Sequence, residues 1–312
     1  MSGAALLAQE ERLALLLREI KWAEEKTALY RTAFARAGVS HASVTCFSDM
    51  TRLPFLEYSE EEGADAPFFM LTLPLSGILR LSILRDTAQC SGRIHCYTQG
   101  DVARQVRTAA DMLAACGVNR ASTALLTGDF DDSRVLDLQY ALETIGATVL
   151  PCESANCTAA AQLLRAAVPD TVIAWEHDLP ALADVMGDLC TNRIITIGTR
   201  IAAGNSAKKM AERMGRRHAH IFTLAQMGAL IGYRCAENEG IHLEERLFFA
   251  EVIDAVGGSS TADGAAGELV LTTIAAEAMP VLRYRTGLHV RLARGECACG
   301  SMQLRIVEER KR

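Results

Sequence analysis

The chain of 312 residues carries 38 acidic and 32 basic side chains, a formal net charge of -6, and half of its residues are apolar. That balance supplies a core for one large or two medium domains and excludes a broad basic surface, so nucleic acid is not an expected partner. The N-terminal MSGAALLAQEERLALLLREIKWAEEK is interrupted by charges and has no basic lead-in, which argues against a signal peptide or membrane span and for a cytoplasmic protein whose ten cysteines are thiols or metal ligands.

Leucines and alanines recur at helical spacing from Ala4 to Ala37, with Gly38 at a C-terminal capping position, so two helices forming an arm are predicted. From Ser48 to Pro74 the segment Leu53-Pro54-Phe55, the acidic run Glu60 to Glu62 and Pro67 permit only short regular pieces, with the acids solvated. Strand and helix then alternate. LSIL at 81 to 84, a helix from Asp101 to Cys116, STALLTG, a helix from Ser133 to Ile145 and TVLPC are followed by a helix over Thr158 to Ala167 and TVIAW. A helix over Leu179 to Leu189, RIITIG and a helix from Ala207 to Met214 continue the series. This βαβ rhythm predicts an α/β fold with a doubly wound, mostly parallel sheet. After Gly240 the pattern changes to FFAEVIDA, GELVLTT, VLRYR, HVRLA and QLRIVEE, an antiparallel tail. The expected division is an arm over 1–75, α/β subdomains over 76–190 and 191–275, and the tail over 276–312.

Four passages carry a resemblance. They are ALYRTAFARAGVS with SDMTRLPF, then ALETIGATVLP, then GYRCAENEGIHLEERLFFAEVID, and finally GELVLTT with PVLRYRTG and CACG. In order and spacing they are similar to the phenylacetate-CoA ligase branch of the adenylate-forming (AMP-binding) superfamily. The resemblance implies that superfamily's large domain, with ATP, magnesium and CoA as cofactors in an active member and a small carboxylic acid as substrate. The chain ends at RIVEERKR, where the family continues into a lid domain with a catalytic lysine, so the large domain alone is expected.

Several family positions depart from the pattern. Tyr97 and Thr98 match the family's YT pair, but the phosphate-cradling loop ahead of it reads Arg85-Asp86-Thr87-Ala88-Gln89-Cys90, where a carboxylate repels phosphate and Gly92 is the nearest glycine. Gly198, Thr199 and Arg200 stand where the family has GAE against adenine. Phe222, Thr223 and Gln226 fall in the YGxTE motif, and Gln226 lacks the charge a magnesium ion wants. Leu288 follows RYRTG at the family's ribose-binding Asp and cannot accept a hydrogen bond, although Arg285 and Thr286 are kept. These losses predict a catalytically degenerate relative that binds a small carboxylic acid, a nucleotide or a protein. The alternative is a divergent acid-adenylating enzyme whose lid comes from a partner protein. A third possibility is a structural subunit, and by resemblance a homodimer is expected.

One chemically demanding set is intact: Cys235, His242, Cys297 and Cys299, a C-x6-H pair and a distant C-x-C hook. Three thiolates and an imidazole suit a closed, structural zinc site, and the family carries matching positions; otherwise the hook is a chance pair in a cysteine-rich chain. Asp129 to Asp132 predict a helix N-cap with solvated carboxylates, and Lys208, Lys209, Arg213, Arg216 and Arg217 a solvated basic face. Cys46, Cys116 and Cys190 read as core thiols, His220 as a packed or surface histidine, and Cys90, Cys96, Cys152 and Cys157 as a possible cluster in the cleft.

Overall fold

The computed structural model describes residues 3–56, 67–86, 92–154, 156–186, 191–201, 208–209, 211–212, 215–235, 237, 240–254 and 257–308. The arm is two helices, α1 (Gly3–Lys26) and α2 (Ala28–Ala37). Between them, the Thr27 hydroxyl accepts the Tyr30 amide hydrogen as an N-cap. Helix α2 stops at Gly38, which turns to φ 66° and donates its amide back to the last turn. Leu16, Ile20, Tyr30 and Phe34 bury the arm against Met50, Leu53, Phe249 and Leu282. The acidic run Glu60 to Glu62 lies outside the described residues.

Next come a two-stranded antiparallel ribbon, β1 (Arg80–Leu84) and β2 (Arg93–Tyr97), and helix α3 (Gln99–Ala115). The alternation continues through β3 (Thr123–Thr127), α4 (Ser133–Ile145), β4 (Thr148–Cys152), α5 (Cys157–Ala167), β5 (Thr171–Trp175), α6 (Leu179–Met186), β6 (Arg193–Gly198) and β7 (Arg217–Leu224). Only residues 208–209 and 211–212 of the helix expected over Ala207 to Met214 are described, and both pairs are helical. Then follow β8 (Ala229–Arg234), β9 (Ile241–Leu243), β10 (Phe248–Ile253), β11 (Ser259–Ser260), β12 (Ala266–Thr273), β13 (Tyr284–Ala293) and β14 (Arg305–Glu308).

Among the described residues, twelve strands form one mixed sheet in the order β11-β10-β12-β13-β14-β9-β8-β7-β6-β5-β3-β4. β7, β6, β5, β3 and β4 are parallel. Every pairing from β7–β8 to the β11 edge is antiparallel. Side-chain alternation explains why helices cover both faces of the parallel half. Leu126, Ile173 and Ile195 point to one side, against Met112, Leu113, Leu138 and Leu142 of α3 and α4. Leu125, Val172 and Ile194 point to the other, against Leu164, Leu179 and Leu182 of α5 and α6.

Two details differ from the sequence pattern. The antiparallel half begins at Ala229, ahead of Gly240, because Gly228 at φ 71° reverses the chain into a hairpin between β7 and β8. HVRLA and the end of VLRYR join in one strand, β13. Gly287 at φ 72° carries it through an irregularity that leaves Glu268 facing His289 and Val270 facing Arg285.

Candidate functional site

The C-terminal ends of β3, β5 and β7 meet the end of the β1–β2 ribbon at a network centred on Arg134, a side chain with no exposed surface. Arg134 lies in the first turn of α4, where a cation opposes the helix dipole and must be matched by carboxylate. Asp132, the N-cap, supplies it: Oδ1 accepts from the Arg134 amide at 2.9 Å and from Nε at 3.0 Å, and Oδ2 accepts from Nη2 at 2.6 Å. Nη2 also donates to the Arg85 carbonyl at 2.7 Å, and Trp175 lies 4.8 Å beneath the guanidinium. Burial works to lower the Arg134 pKa, but hydrogen bonding and charge from Asp132, with Asp86, hold it above its ordinary value.

Nη1 faces Asp86 Oδ1 and Thr223 Oγ1, both at 3.4 Å. The same Asp86 oxygen accepts from the Ala225 amide at 2.6 Å. With the Gln226 amide oriented to suit both neighbours, its nitrogen donates to Asp86 Oδ2 at 3.2 Å and its oxygen accepts from Arg93 Nε at 3.0 Å. Burial raises the Asp86 pKa, and Arg134 and the Ala225 amide pull it back. Beside this network His95 is buried and neutral, its pKa pushed down to about 3 by burial and then by Arg134 and Arg93.

The other cleft positions are engaged within the chain. Tyr97 donates its hydroxyl to the Gly228 carbonyl at 2.8 Å. Thr98 caps α3 by accepting from the Asp101 amide and donates to Glu277 Oε2 at 2.6 Å. Thr223 donates to the Ala229 carbonyl at 2.8 Å, and Phe222 is fully buried in the core. Gly198 closes β6, while Thr199 and Arg200 follow it outward, with Arg200 exposed. Arg285 pairs with Glu268 at 2.5 Å, and Leu288 packs on the apolar cluster beneath β13. Cleft residues 87–91, including Cys90, lie outside the described residues.

A second constellation lies where the parallel and antiparallel halves join. Cys235 follows β8, His242 sits in β9, and Cys297 and Cys299 occupy the turn between β13 and β14. Their ligand atoms lie within 4.8 Å of one another. His242 Nε2 is 3.4 Å from Cys235 Sγ and 3.6 Å from Cys299 Sγ, and Cys235 and Cys297 sulfurs are 3.7 Å apart. A tetrahedral ion with Zn–S near 2.3 Å and Zn–N near 2.0 Å has edges of about 3.8 Å between sulfurs and about 3.5 Å from sulfur to nitrogen. The donor set therefore fits a zinc-sized cation.

Local structure explains how the four residues converge. The Cys297 carbonyl accepts from the Gly300 amide at 2.8 Å, tightening the hook, and Tyr233 stacks on the His242 ring at 5.1 Å. Burial, then Arg305, lowers the His242 pKa to about 4, leaving the neutral imidazole that coordination requires. Without a cation, burial with the neighbouring thiols pushes Cys235 up to about 12.

Several expectations need correction. Asp132 is the predicted N-cap but is not solvated, because Arg134 draws it into the interior. Arg216 is buried and donates to the Thr191 carbonyl, so it leaves the predicted basic face, while Lys208, Lys209 and Arg217 are exposed. Cys96 and Cys152 do not gather, since they belong to different apolar clusters; the Cys157 side chain and all of Cys190 and Arg213 lie outside the described residues. His220 is packed, bonded to Thr196 at 2.9 Å and to the Arg200 carbonyl at 3.1 Å. Arg134 belongs to none of the motifs read from the sequence, and its one signal there is a basic residue in the first helical turn just after an aspartate cap.

No family model matches the chain. Phenylacetate-coenzyme A ligase of Pseudomonas putida is 27% identical over 303 residues, covering 92% of this chain and 67% of that protein. The enzyme of the same name from Escherichia coli K12 is 28% identical, with coverages of 92% and 68%. Among solved structures, 2-hydroxyisobutyryl-CoA ligase in complex with 2-HIB-AMP and CoA superposes with a TM-score of 0.85 at 17% identity, over 99% of this chain and 68% of that one. A long-chain-fatty-acid-CoA ligase from Archaeoglobus fulgidus gives 0.52 at 14% identity, over 74% and 51%. No described helix is long and apolar enough to cross a membrane.

Proposed function

Taking the chain as a phenylacetate-CoA ligase-like member of the adenylate-forming family, we propose that it keeps the family's fold and a zinc clamp but does not carry out the family's ATP chemistry. The supporting observation is Asp86: its carboxylate sits on the Ala225 amide at 2.6 Å, in the turn where the family resemblance puts phosphate contacts. A triphosphate arriving there meets an anion already hydrogen-bonded and paired. Displacing Asp86 costs its hydrogen bonds from the Ala225 amide, Arg134 and Gln226, each charge-assisted and worth about 1.5–3 kcal/mol at good geometry, before any new contact forms. Gln226 offers a bound magnesium ion no charge, and Leu288 offers ribose no acceptor.

The residues do other work in this reading. Thr98, Asp101, Arg104 and Glu277 tie the start of α3 to the loop after β12, with Arg104 Nη1 donating to Glu277 Oε1 at 2.8 Å and Nη2 to Asp101 Oδ1 at 2.8 Å. Cys235, His242, Cys297 and Cys299 would hold zinc with four protein ligands, so the ion would supply cross-linking between strands. The remaining function is binding, of a small carboxylic acid or of a protein partner, including a second copy.

The test is ATP–pyrophosphate exchange with a panel of aryl and acyl acids, with titration calorimetry for ATP. The expected outcome is no exchange and no ATP binding at millimolar concentration. Exchange above background would end this reading in favour of a divergent acid-CoA ligase using ATP, magnesium and CoA.

A further inference from the structure

A cavity of about 400 Å³ lies between the helical arm and the body, a volume in the range of small-molecule sites. Leu15, Arg18, Glu19 and Trp22 line one wall, at the i, i+3, i+4 and i+7 positions that share one face of α1. Leu73 and the loop after β12, from Ala275 to Glu277, line the other. Contacts within the chain hold both walls. The Ala276 amide donates to Glu19 Oε2 at 2.8 Å, the Glu277 amide to Asp101 Oδ1 at 2.9 Å, and Trp22 Nε1 to the Glu277 carbonyl at 3.3 Å. Thr72, next to Leu73, donates its amide to the Ala278 carbonyl at 3.0 Å. Ala275 keeps a left-handed backbone at φ 65°, which a side chain opposes, and with Ala276 it gives this wall only methyl groups, leaving room between the walls.

The charges around the cavity leave a positive surplus. Both Glu277 oxygens are engaged, Oε2 by the Thr98 hydroxyl at 2.6 Å and Oε1 by Arg104 at 2.8 Å. Against burial, these contacts and then Arg18 hold the Glu277 pKa below its ordinary value. Burial pushes Glu19 up to about 8, so near pH 7 its carboxyl is an uncharged part of the wall. Arg104 set against Asp101 and Glu277 leaves one negative charge, which Arg18 and Lys26 together exceed by one. Arg18 is exposed and has no hydrogen bond or ion pair among the described residues. Lys26 meets the Trp22 ring at 5.1 Å and, among the described residues, no carboxylate. An interior of leucine, alanine and indole with surplus cations at its mouth matches an apolar body carrying one anionic group. We propose that this cavity binds a medium-chain acyl or aryl carboxylate, its apolar part between Leu15, Trp22, Leu73 and the two alanines and its carboxylate at Arg18. This site extends the small-acid binding put forward above and rests on that reading, in that the acid is held without being activated. It shares no lining residue with the network around Arg134.

Octanoate is the probe, read by the indole N–H signals of nitrogen-15-labelled protein. The chain has two tryptophans. Trp22 reports this cavity and Trp175, beneath Arg134, reports the cleft, with Trp22→Phe assigning the two signals. The Trp22 signal should shift saturably, with a dissociation constant on the order of 1 mM, while Trp175 stays in place. Octylammonium, the same chain with the opposite charge, should bind roughly fivefold more weakly, and so should octanoate to Arg18→Glu. Ala276→Leu, which keeps the amide bonded to Glu19 and fills the space, should abolish the shift. Should that variant not fold, Arg18→Glu carries the test, because Arg18 is an exposed residue whose change leaves the fold intact. A Trp22 signal indifferent to octanoate, a shift confined to Trp175, or equal affinity for octylammonium or in Arg18→Glu overturns the site. ATP–pyrophosphate exchange with octanoate overturns instead the reading that the acid is not activated, so the two failures are distinguishable.

Discussion

Glu19→Gln should remove a pH dependence of stability that the native fold owes to one buried carboxyl. Glu19 on α1 is 3% exposed, accepts from the Thr273 hydroxyl, and accepts from the Ala276 amide at 2.8 Å. Burial raises its pKa from the ordinary 4.5 to about 8, against those two hydrogen bonds. The native state therefore holds a proton that the unfolded chain releases above pH 4.5, so this contribution is fully present below 4.5, falls as pH rises, and is lost by about pH 8. At about 1.36 kcal/mol per pH unit the whole window is worth at most about 5 kcal/mol. Glutamine keeps the shape and both hydrogen-bond partners without a titrating group. Urea unfolding of both proteins at pH 5, 7 and 9 should give near-equal stability at pH 5 and a variant more stable by roughly 2–5 kcal/mol at pH 9. Taking the difference cancels the opposite slope from His95, His218 and His220, whose pKa values lie near 3. A difference unchanged between pH 5 and 9 would refute the argument.

Purified protein should contain one zinc per chain by elemental analysis, and Cys297→Ser should lose it and unfold at a lower temperature. Arg134→Met should destabilise by about 3–5 kcal/mol in urea, because it leaves Asp132 buried without its partner. Gly232→Ala should speed zinc release to a colorimetric chelator, since its Cβ would lie 2.2 Å from the His242 carbonyl oxygen, a backbone atom that must then shift. Gln226→Glu with Leu288→Asp should still show no ATP binding by calorimetry while Asp86 remains in place.

Much of this architecture was legible because periodicity reports burial directly. TVIAW and RIITIG are continuous apolar runs, as a strand covered on both faces requires, and β5 is buried at every residue. Gly38 announced the end of α2 through a backbone need that few residues meet, whereas the Thr27 cap that starts it was not singled out. The hairpin of β7 and β8 was not legible, because RHAHIFTL carries histidines whose acceptability depends on Thr196 and Arg234 across the sheet. Asp86 stood out in the sequence as a carboxylate in the loop ahead of Tyr97, but its partners lie 48 and 139 positions away. Spacing within a motif gave the four metal-ligand candidates; only the register of β8, β9 and β14 puts them within 4.8 Å.

The place of β14 bears on how the sheet is assembled during synthesis. It is four residues long, pairs with β13 on one side and, through Arg305 opposite His242, with β9 on the other. Until residues 305–308 are in place, β9 and β13 are open edges, and the parallel half made earlier is not yet continuous with the half containing β10 to β13. Cys297 and Cys299 leave the ribosome just before this strand. A metal captured there by Cys235 and His242 would bring the nascent segment to its slot and shorten the interval in which both edges are exposed to other chains.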